Sequence, residues 1–462
     1  MTPADLVPLL AVLAVLTREL LWVSGIGIAL SSLDDIAVDT IWLARVAFRR
    51  APALPPEPER PGRFAVIIPA WDESAVIGAM VQRLLATMQH PHFLLFVGAY
   101  PNDLATQEAV RSVADARVRL VVTSRPGPTT KADCLNHLWR AVLAEEAGGG
   151  RFKAIVLHDA EDVVHPQSLS VYDRHMPGLA MVQLPVVPLI DRRARWVSGH
   201  YADEFAQAHA KDMLVRAVLR APVPSAGVGT AIDREVLACL AGADNAPFDA
   251  GSLTEDYEIG HKIHAMGLTG RMARVRMADG LVATRAYFPS TIEAAVQQKS
   301  RWLTGIALSG WDRLGWGGGP AVRWMLLRDR KGLFTAAIAV MGYGAALLLA
   351  AQLMLRSQLG ERLGHPLPPL LGGASELLPW FLLFNAALLA WRLILRFWFT
   401  SRLYGPVEGL FAVPRAIVAN AINFLAAVRA AERYRAMLGT GGTEWGKTQH
   451  RFPTDGELAR NG

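Results

Sequence analysis

Three short stretches of this sequence gather residue types that could do chemistry. His158-Asp-Ala-Glu-Asp162 follows a short apolar run, with Asp159 and Glu161 two positions apart. On a strand, residues i and i+2 point to one side, so both carboxylates could meet a single hard cation. Mg²⁺ and Mn²⁺ accept such oxygen ligands together with substrate phosphates. A solvated acidic loop is the plain alternative. Thr254-Glu-Asp256 opens a helical pattern that continues through Ile259, Ile263 and Met266 and stops at Gly267. Asp256 could accept a proton there. It could equally serve the helix start, since Ser252 with Glu255 fits a capping box and acids suit the first turn. Gln298-Lys-Ser-Arg-Trp302 lies on a third pattern, helical from about Thr291. Gln298 precedes Arg301 and Trp302 by three and four residues, which puts all three on one face. That face could bind a diphosphate and stack on a ring; an interfacial helix with a snorkelling Arg is the alternative.

Positioning these groups requires a frame, and the hydrophobic pattern supplies one. Phe64 to Pro69 reads as a buried strand, followed by a helix from about Ser74 to Met88. Phe93 to Gly98 and Arg119 to Thr123 read as further strands, Lys131 to Ala144 as a helix, and Ala154 to His158 as a fourth strand. Strands alternating with helices at this spacing imply an α/β, Rossmann-like, mostly parallel sheet. Ligands of such sheets sit beyond the carboxyl ends of the strands. Those ends are Pro69–Glu73, Gly98–Asp103, Ser124–Lys131 and Asp159–Asp162, where the polar residues fall.

The flanks are of another kind. Apolar residues make up 52% and charged residues 19% of the 462 residues, and the apolar excess gathers toward the ends. Leu6 to Leu30, Leu333 to Leu355 and Leu377 to Phe399 are each long enough to cross a hydrocarbon core of ~30 Å. Arg18 and Glu19 interrupt the first, and either the adjacent Glu19 or a partner on another helix could offset part of the cost. Ile36 to Phe48 and Val407 to Val428 read as interfacial helices, the latter because of Pro414, Arg415, Asn420 and Asn423. The proline-rich stretch Ala51–Pro61 is an extended linker. The division expected is 1–62 for the N-terminal helices and linker, 63–325 for the α/β domain, and 326–462 for the C-terminal helices and tail.

The net charge of +6 does not point to nucleic acid, because the basic residues lack aromatic interleaving and any nucleic-acid motif. They stand beside the apolar runs instead: Arg45, Arg49 and Arg50, then Arg323, Arg328, Arg330 and Lys331. Juxtamembrane Lys and Arg mark the cytoplasmic side of a bilayer, so the central domain is expected there. Cys134 and Cys239 form no metal-ligand or disulfide pattern.

The order of the motifs adds a resemblance. Val66-Ile-Ile-Pro-Ala-Trp-Asp-Glu73, Lys131-Ala-Asp-Cys-Leu-Asn136, the acidic strand end, Thr-Glu-Asp256 and Gln-x-x-Arg-Trp302 precede apolar spans. This succession resembles the processive-type family 2 glycosyltransferases, which include bacterial cellulose, hyaluronan and chitin synthases. Tyr100-Pro-Asn-Asp103, Ser225-Ala-Gly-Val-Gly-Thr230 and Trp445-Gly-Lys-Thr448 look like those of the bacterial inner-membrane subgroup required for phage adsorption.

The resemblance implies a GT-A catalytic domain on the cytoplasmic face of a multi-pass inner-membrane protein. It also implies an inverting hexosyl transfer from a nucleotide sugar, normally a UDP-sugar, to a glycan or lipid-linked acceptor for envelope or exopolysaccharide synthesis. An outer-membrane or periplasmic export partner would fit that role. Position by position, Trp71, Asp72, Glu73 and Asp103 would line the nucleotide pocket, and Lys131 would meet the nucleotide or diphosphate. Asp159 and Glu161 would hold Mg²⁺ or Mn²⁺. Asp256, with Glu255 beside it, would be the general base. Gln298, Arg301 and Trp302 would hold the diphosphate and the acceptor end. Two departures stand out: Glu161 replaces the second Asp of the metal motif, and Ala99 and Tyr100 replace the usual Asp pair at the second strand end. The altered second strand end motivates the alternative, a catalytically impaired binding or assembly component of an envelope export machine.

Overall fold

The computed structural model describes residues 3–48, 53–363, 370–371, 376–440 and 450–461. Its centre is a seven-stranded sheet. Strands β1 (Phe64–Pro69), β2 (Phe93–Ala99), β3 (Val118–Val122) and β4 (Ala154–Leu157) are parallel in the order β3-β2-β1-β4. Thr230–Asp233 pairs antiparallel with β4 and carries the sheet on to Met181–Gln183 and Gly270–Met272. Every residue of β1 is buried. Phe64, Val66 and Ile68 enter one core layer, while Ala65 and Ile67 enter the other. That is why the strand reads as an unbroken apolar run, as expected of a sheet covered on both faces.

The expected elements form within a few residues. The helix after β1 begins at Ile77, and the one opening at Lys131 extends to Gly149. Thr130 caps the latter by accepting a bond from the Asp133 amide at 3.2 Å, which places Lys131 in the first turn beyond the strand ends. One placement differs in a way that matters. Strand β4 stops at Leu157, so Asp159 and Glu161 stand in the turn beyond it. Strand alternation therefore does not aim them. The turn is held by Asp162, whose Oδ2 accepts from the Asp159 amide at 3.0 Å and bonds His158 Nδ1 at 2.8 Å.

Among the described residues, four helices are long and apolar enough to cross a membrane: Val7–Ala47, Gly332–Gln358, Leu377–Tyr404 and Pro406–Gly439. The N-terminal span and the separate interfacial helix expected after it are in fact one helix, Pro3–Trp42, running into a π-helical turn at Leu43–Ala47. The acids along this stretch are met by tertiary partners. Asp34 and Asp35 meet Arg328 and Lys331, and Asp39 meets Lys211 at 2.5 Å and Trp391 Nε1 at 2.9 Å. Arg18 pairs with Glu376, on another segment, not with its neighbour Glu19.

The last long helix packs against the α/β domain. Its Arg415 is wholly buried, bonded to Asp203 at 2.8 Å and to Glu408 at 2.9 Å. On the helix Ile292–Leu303, Lys299 bonds Glu204 at 2.6 Å and Asn423 at 2.8 Å. The helix carrying the Gln-x-x-Arg-Trp face is thereby tied to both the α/β domain and the apolar helices.

Candidate active site

The strand-end loops enclose a cavity of about 180 Å³ lined by Lys131, Asp159, Glu161, Asp256, Gln298, Arg301, Trp302 and His450, among others. Seven of these were expected from the sequence, drawn from four segments far apart in the chain. Lys131 Nζ stands 2.5 Å from Asp159 Oδ1. Burial works against the lysine's charge, but Asp159, Glu255 and Asp256 more than offset it and hold the ammonium above the ordinary lysine range. Glu255 is buried next to Asp256 rather than bordering the cavity, and burial together with that neighbour pushes its carboxyl up to about 7. Asp256 is also raised, by burial first, with Lys131 opposing the rise. A carboxyl moved toward neutrality is better matched to proton abstraction.

The capping box expected at this helix is not formed. Ser252 Oγ accepts from the Thr254 amide at 3.1 Å and donates to Glu258 at 2.7 Å, leaving Glu255 out of the arrangement. Thr254 is the N-cap residue, but its side chain makes no capping bond. Among the described residues, Asp256 accepts from the adjacent Tyr257 amide at 2.7 Å. Its other oxygen lies against Gly227, where a Cβ would stand 2.6 Å away. Gly227 has φ of +75° and belongs to the loop Ser225–Thr230. Buried Gln183 secures that loop, accepting from the Ala226 amide at 2.8 Å and Thr230 Oγ1 at 2.6 Å.

Gln298, Arg301 and Trp302 share the face their spacing requires, and all three border the cavity. Gln298 Oε1 is buried without a hydrogen-bond partner among the described residues, an acceptor poised for a donor from outside the chain. Trp302 packs edge-on to Tyr201, with Phe288 and Phe205 nearby. Trp71, Asp72 and Asp103 lie apart from this cavity, over the ends of β1 and β2. Trp71 meets Tyr100 edge-on at 5.1 Å. Asp103 accepts from the Asp72 amide at 2.6 Å, where φ is +53°, and from the Thr106 amide at 3.2 Å, capping the next helix. Tyr100 is buried with its hydroxyl 2.8 Å from Thr129 Oγ1, so an aromatic wall stands at the second strand end.

His450 is the residue that sequence reasoning missed. It lies 2.9 Å from Glu73 and 3.4 Å from Glu161. One ligand atom from each of these three residues falls within 4.8 Å of the others. Burial opposes the imidazolium, but Glu161 and Glu73 carry its pKa up to about 9. Burial pushes Glu161 up to about 8, with His450 opposing and Asp159, Asp162 and Glu73 adding to the rise. The nearby segment is anchored by Arg451 over the Tyr287 ring, by Phe452 against the core and by an Arg83–Asp455 ion pair. The only sequence signal close to it, Trp445–Thr448, lies outside the described residues.

A conserved-domain model for "Glycosyltransferase like family 2" matches residues 61–305, which carry every cavity residue named above except His450. The chain belongs to glycosyltransferase family 2. Bacteriophage adsorption protein B of Escherichia coli K12 is 34% identical over 481 residues, spanning 96% of this chain. Bacteriophage N4 adsorption protein B of E. coli O157:H7 matches to the same extent. This glycosyltransferase spans 62% of the length of each. The mannosyltransferase PcManGT from Pyrobaculum calidifontis, solved with GDP-Man and Mn²⁺, superposes with a TM-score of 0.52. It covers 91% of this chain and 99% of its own at 17% identity, a likeness of fold.

Proposed function

We propose that this family 2 glycosyltransferase performs an inverting sugar transfer from a nucleotide sugar, a UDP-sugar by family resemblance, to a glycan or lipid-linked acceptor in envelope or exopolysaccharide synthesis. The observation that carries this is the convergence of Asp256, Lys131, Asp159, Glu161 and the Gln298–Arg301–Trp302 face on one cavity. The acceptor hydroxyl gives its proton to Asp256 as its oxygen bonds the anomeric carbon, and the bond from that carbon to the diphosphate breaks with its electron pair. Arg301 and Gln298 hold the diphosphate, while Trp302 orients the acceptor end. Such alignment of two substrates supplies much of the acceleration.

The donor set fits a divalent cation. Glu161 supplies carboxylate oxygen beside Asp159, and Glu73 and His450 stand close enough to share an ion with it. An imidazole nitrogen among carboxylates suits Mn²⁺ better than Mg²⁺, which favours all-oxygen sites. A bound cation would offset the charge that develops on the leaving diphosphate. PcManGT, of similar fold, was solved with GDP-Man and Mn²⁺, which supports a nucleotide sugar and a divalent cation here.

We place the catalytic domain on the cytoplasmic face of a bacterial inner membrane, with Pro406–Thr440 as an interfacial helix against that domain. Its burial of Arg415 and its contacts with the Ile292–Leu303 helix support this. The test is to screen nucleotide sugars against the purified full chain with Mn²⁺, reading thermal stabilisation and nucleoside diphosphate release. One donor should be stabilising and hydrolysed. Failure of every donor to be hydrolysed would favour the non-catalytic assembly role.

A further inference from the structure

We propose that buried Gln183 is a positioning residue for Asp256, acting through Gly227 and the loop Ser225–Thr230. This rests on the reading of Asp256 as the proton acceptor and adds to it a side chain that meets no substrate. The two oxygens of Asp256 are placed in different ways. Oδ1 accepts from the Tyr257 amide at 2.7 Å. Oδ2 is set by close approach to backbone, since it stands 2.6 Å from where a Cβ on Gly227 would be. A side chain at position 227 would need the space that the carboxylate occupies, and φ of +75° there favours glycine as well. Gly227 is thus the wall that the base rests on.

That wall keeps its place only if its loop does, and the amide of Gln183 holds the loop. Gln183 ends the strand Met181–Gln183 and is 1% exposed. Its Oε1 accepts from the Ala226 amide at 2.8 Å and from Thr230 Oγ1 at 2.6 Å. Its Nε2 donates to the Leu184 and Val228 carbonyls, each at 2.8 Å. Two lone pairs and two N–H groups are used, the full capacity of a carboxamide. The bonds to Ala226 and Val228 fall on either side of Gly227. Ser225 Oγ accepts from the Gly227 amide itself at 3.0 Å. The Gly229 amide donates to Leu157 O at 2.9 Å, where β4 ends and the turn of Asp159 and Glu161 begins. One buried amide therefore registers the loop between that turn and Asp256. An apolar side chain in its place would leave a buried N–H and a buried C=O unmatched and release the loop where it meets the base. A misplacement of about 1 Å in such a site can cost on the order of 10² in rate.

The test compares Gln183→Met and Gly227→Ala with the parent and with Val182→Ala. Val182 is buried in the core on the other face of the same strand, so its truncation costs stability and leaves the amide in place. Two readouts are taken on the full chain in neutral detergent. One is release of UDP or GDP from UDP-glucose, UDP-N-acetylglucosamine or GDP-mannose with Mn²⁺, alongside binding of the same diphosphate. The other is carbodiimide labelling of Asp256 relative to exposed Glu235, mapped by peptide mass spectrometry. In both test variants release should fall on the order of 10²-fold with diphosphate binding near the parent's, and Asp256 should label several-fold faster. Val182→Ala should lose melting temperature and leave both readouts near the parent's. Unchanged release or unchanged labelling in Gln183→Met would overturn the proposal, as would the same changes in Val182→Ala. If Gly227→Ala alone does not fold, Gln183→Met decides; failure of both to fold would make the amide a requirement of the fold and also overturn the proposal. A parent that cleaves no donor overturns the transferase function, and the labelling then decides this inference by itself.

Discussion

The two acidic sides of the cavity are built from the same residue types and neutralised in different ways. On one side Asp159, Glu255 and Asp256 act on Lys131, a cation supplied by the first turn of a helix packed against the sheet. On the other, Glu73 and Glu161 meet His450, which arrives from near the end of the chain. A lysine holds its charge across the neutral range. An imidazole can give up its proton and become a metal ligand. The first side is thus suited to a lasting electrostatic frame around a proton acceptor, and the second to exchanging a proton for a cation.

The contrast breaks most sharply at Asp256. Asp256→Asn keeps the shape and cannot accept a proton, so transfer should fall by roughly 10²–10⁴ while donor affinity survives. Single-turnover transfer and donor titration, run side by side, check this. Loss of both in proportion to lost stability would return Asp256 to a structural role.

A smaller effect separates the two sides by metal dependence. Glu161→Gln and His450→Ala should each raise the Mn²⁺ concentration needed for donor binding by at least the roughly tenfold that losing an outer-shell partner costs. Asp159→Asn should also weaken metal-dependent donor binding, since Asp159 shares the turn with Glu161. If His450→Ala leaves the Mn²⁺ titration unchanged while Glu161→Gln shifts it, His450 serves only as a counter-ion.

The smallest effect expected is on stability. Glu255 has its carboxyl raised to about 7 in the folded chain against an ordinary glutamate value when unfolded. Between those values the folded state binds the extra proton, so stability falls as pH rises through this window. In detergent, the parent should lose a few degrees of melting temperature between pH 5 and pH 8. Glu255→Gln should lose less. Equal losses would place the titration elsewhere, with Glu161 the first alternative.

Much of the frame was legible in the residues themselves. Phe64–Pro69 reads correctly because a strand buried on both faces must be continuously apolar. Gln298, Arg301 and Trp302 converge because helical periodicity leaves them no other face. The carboxyl ends of the strands likewise placed Lys131, Asp159 and Glu161 near one another, since parallel sheets present those edges together.

Tertiary contacts decided the rest. Leu6–Leu30 and Ile36–Phe48 read as two separate helices, yet one helix runs through both, with Asp34, Asp35 and Asp39 partnered by Arg328, Lys331, Lys211 and Trp391. Ser252 with Glu255 reads as a capping box, yet Ser252 turns to Glu258, and Asp256 borders the cavity. His450 carries no periodicity and no local motif. Its place between Glu73 and Glu161 depends on Phe452, Arg451 and Asp455 finding their own seats on the domain. Local pattern determines which face a side chain takes along its own element. Which charge it meets across the molecule is set by packing, because the partners are hundreds of residues away and only the folded chain brings them within a few ångströms.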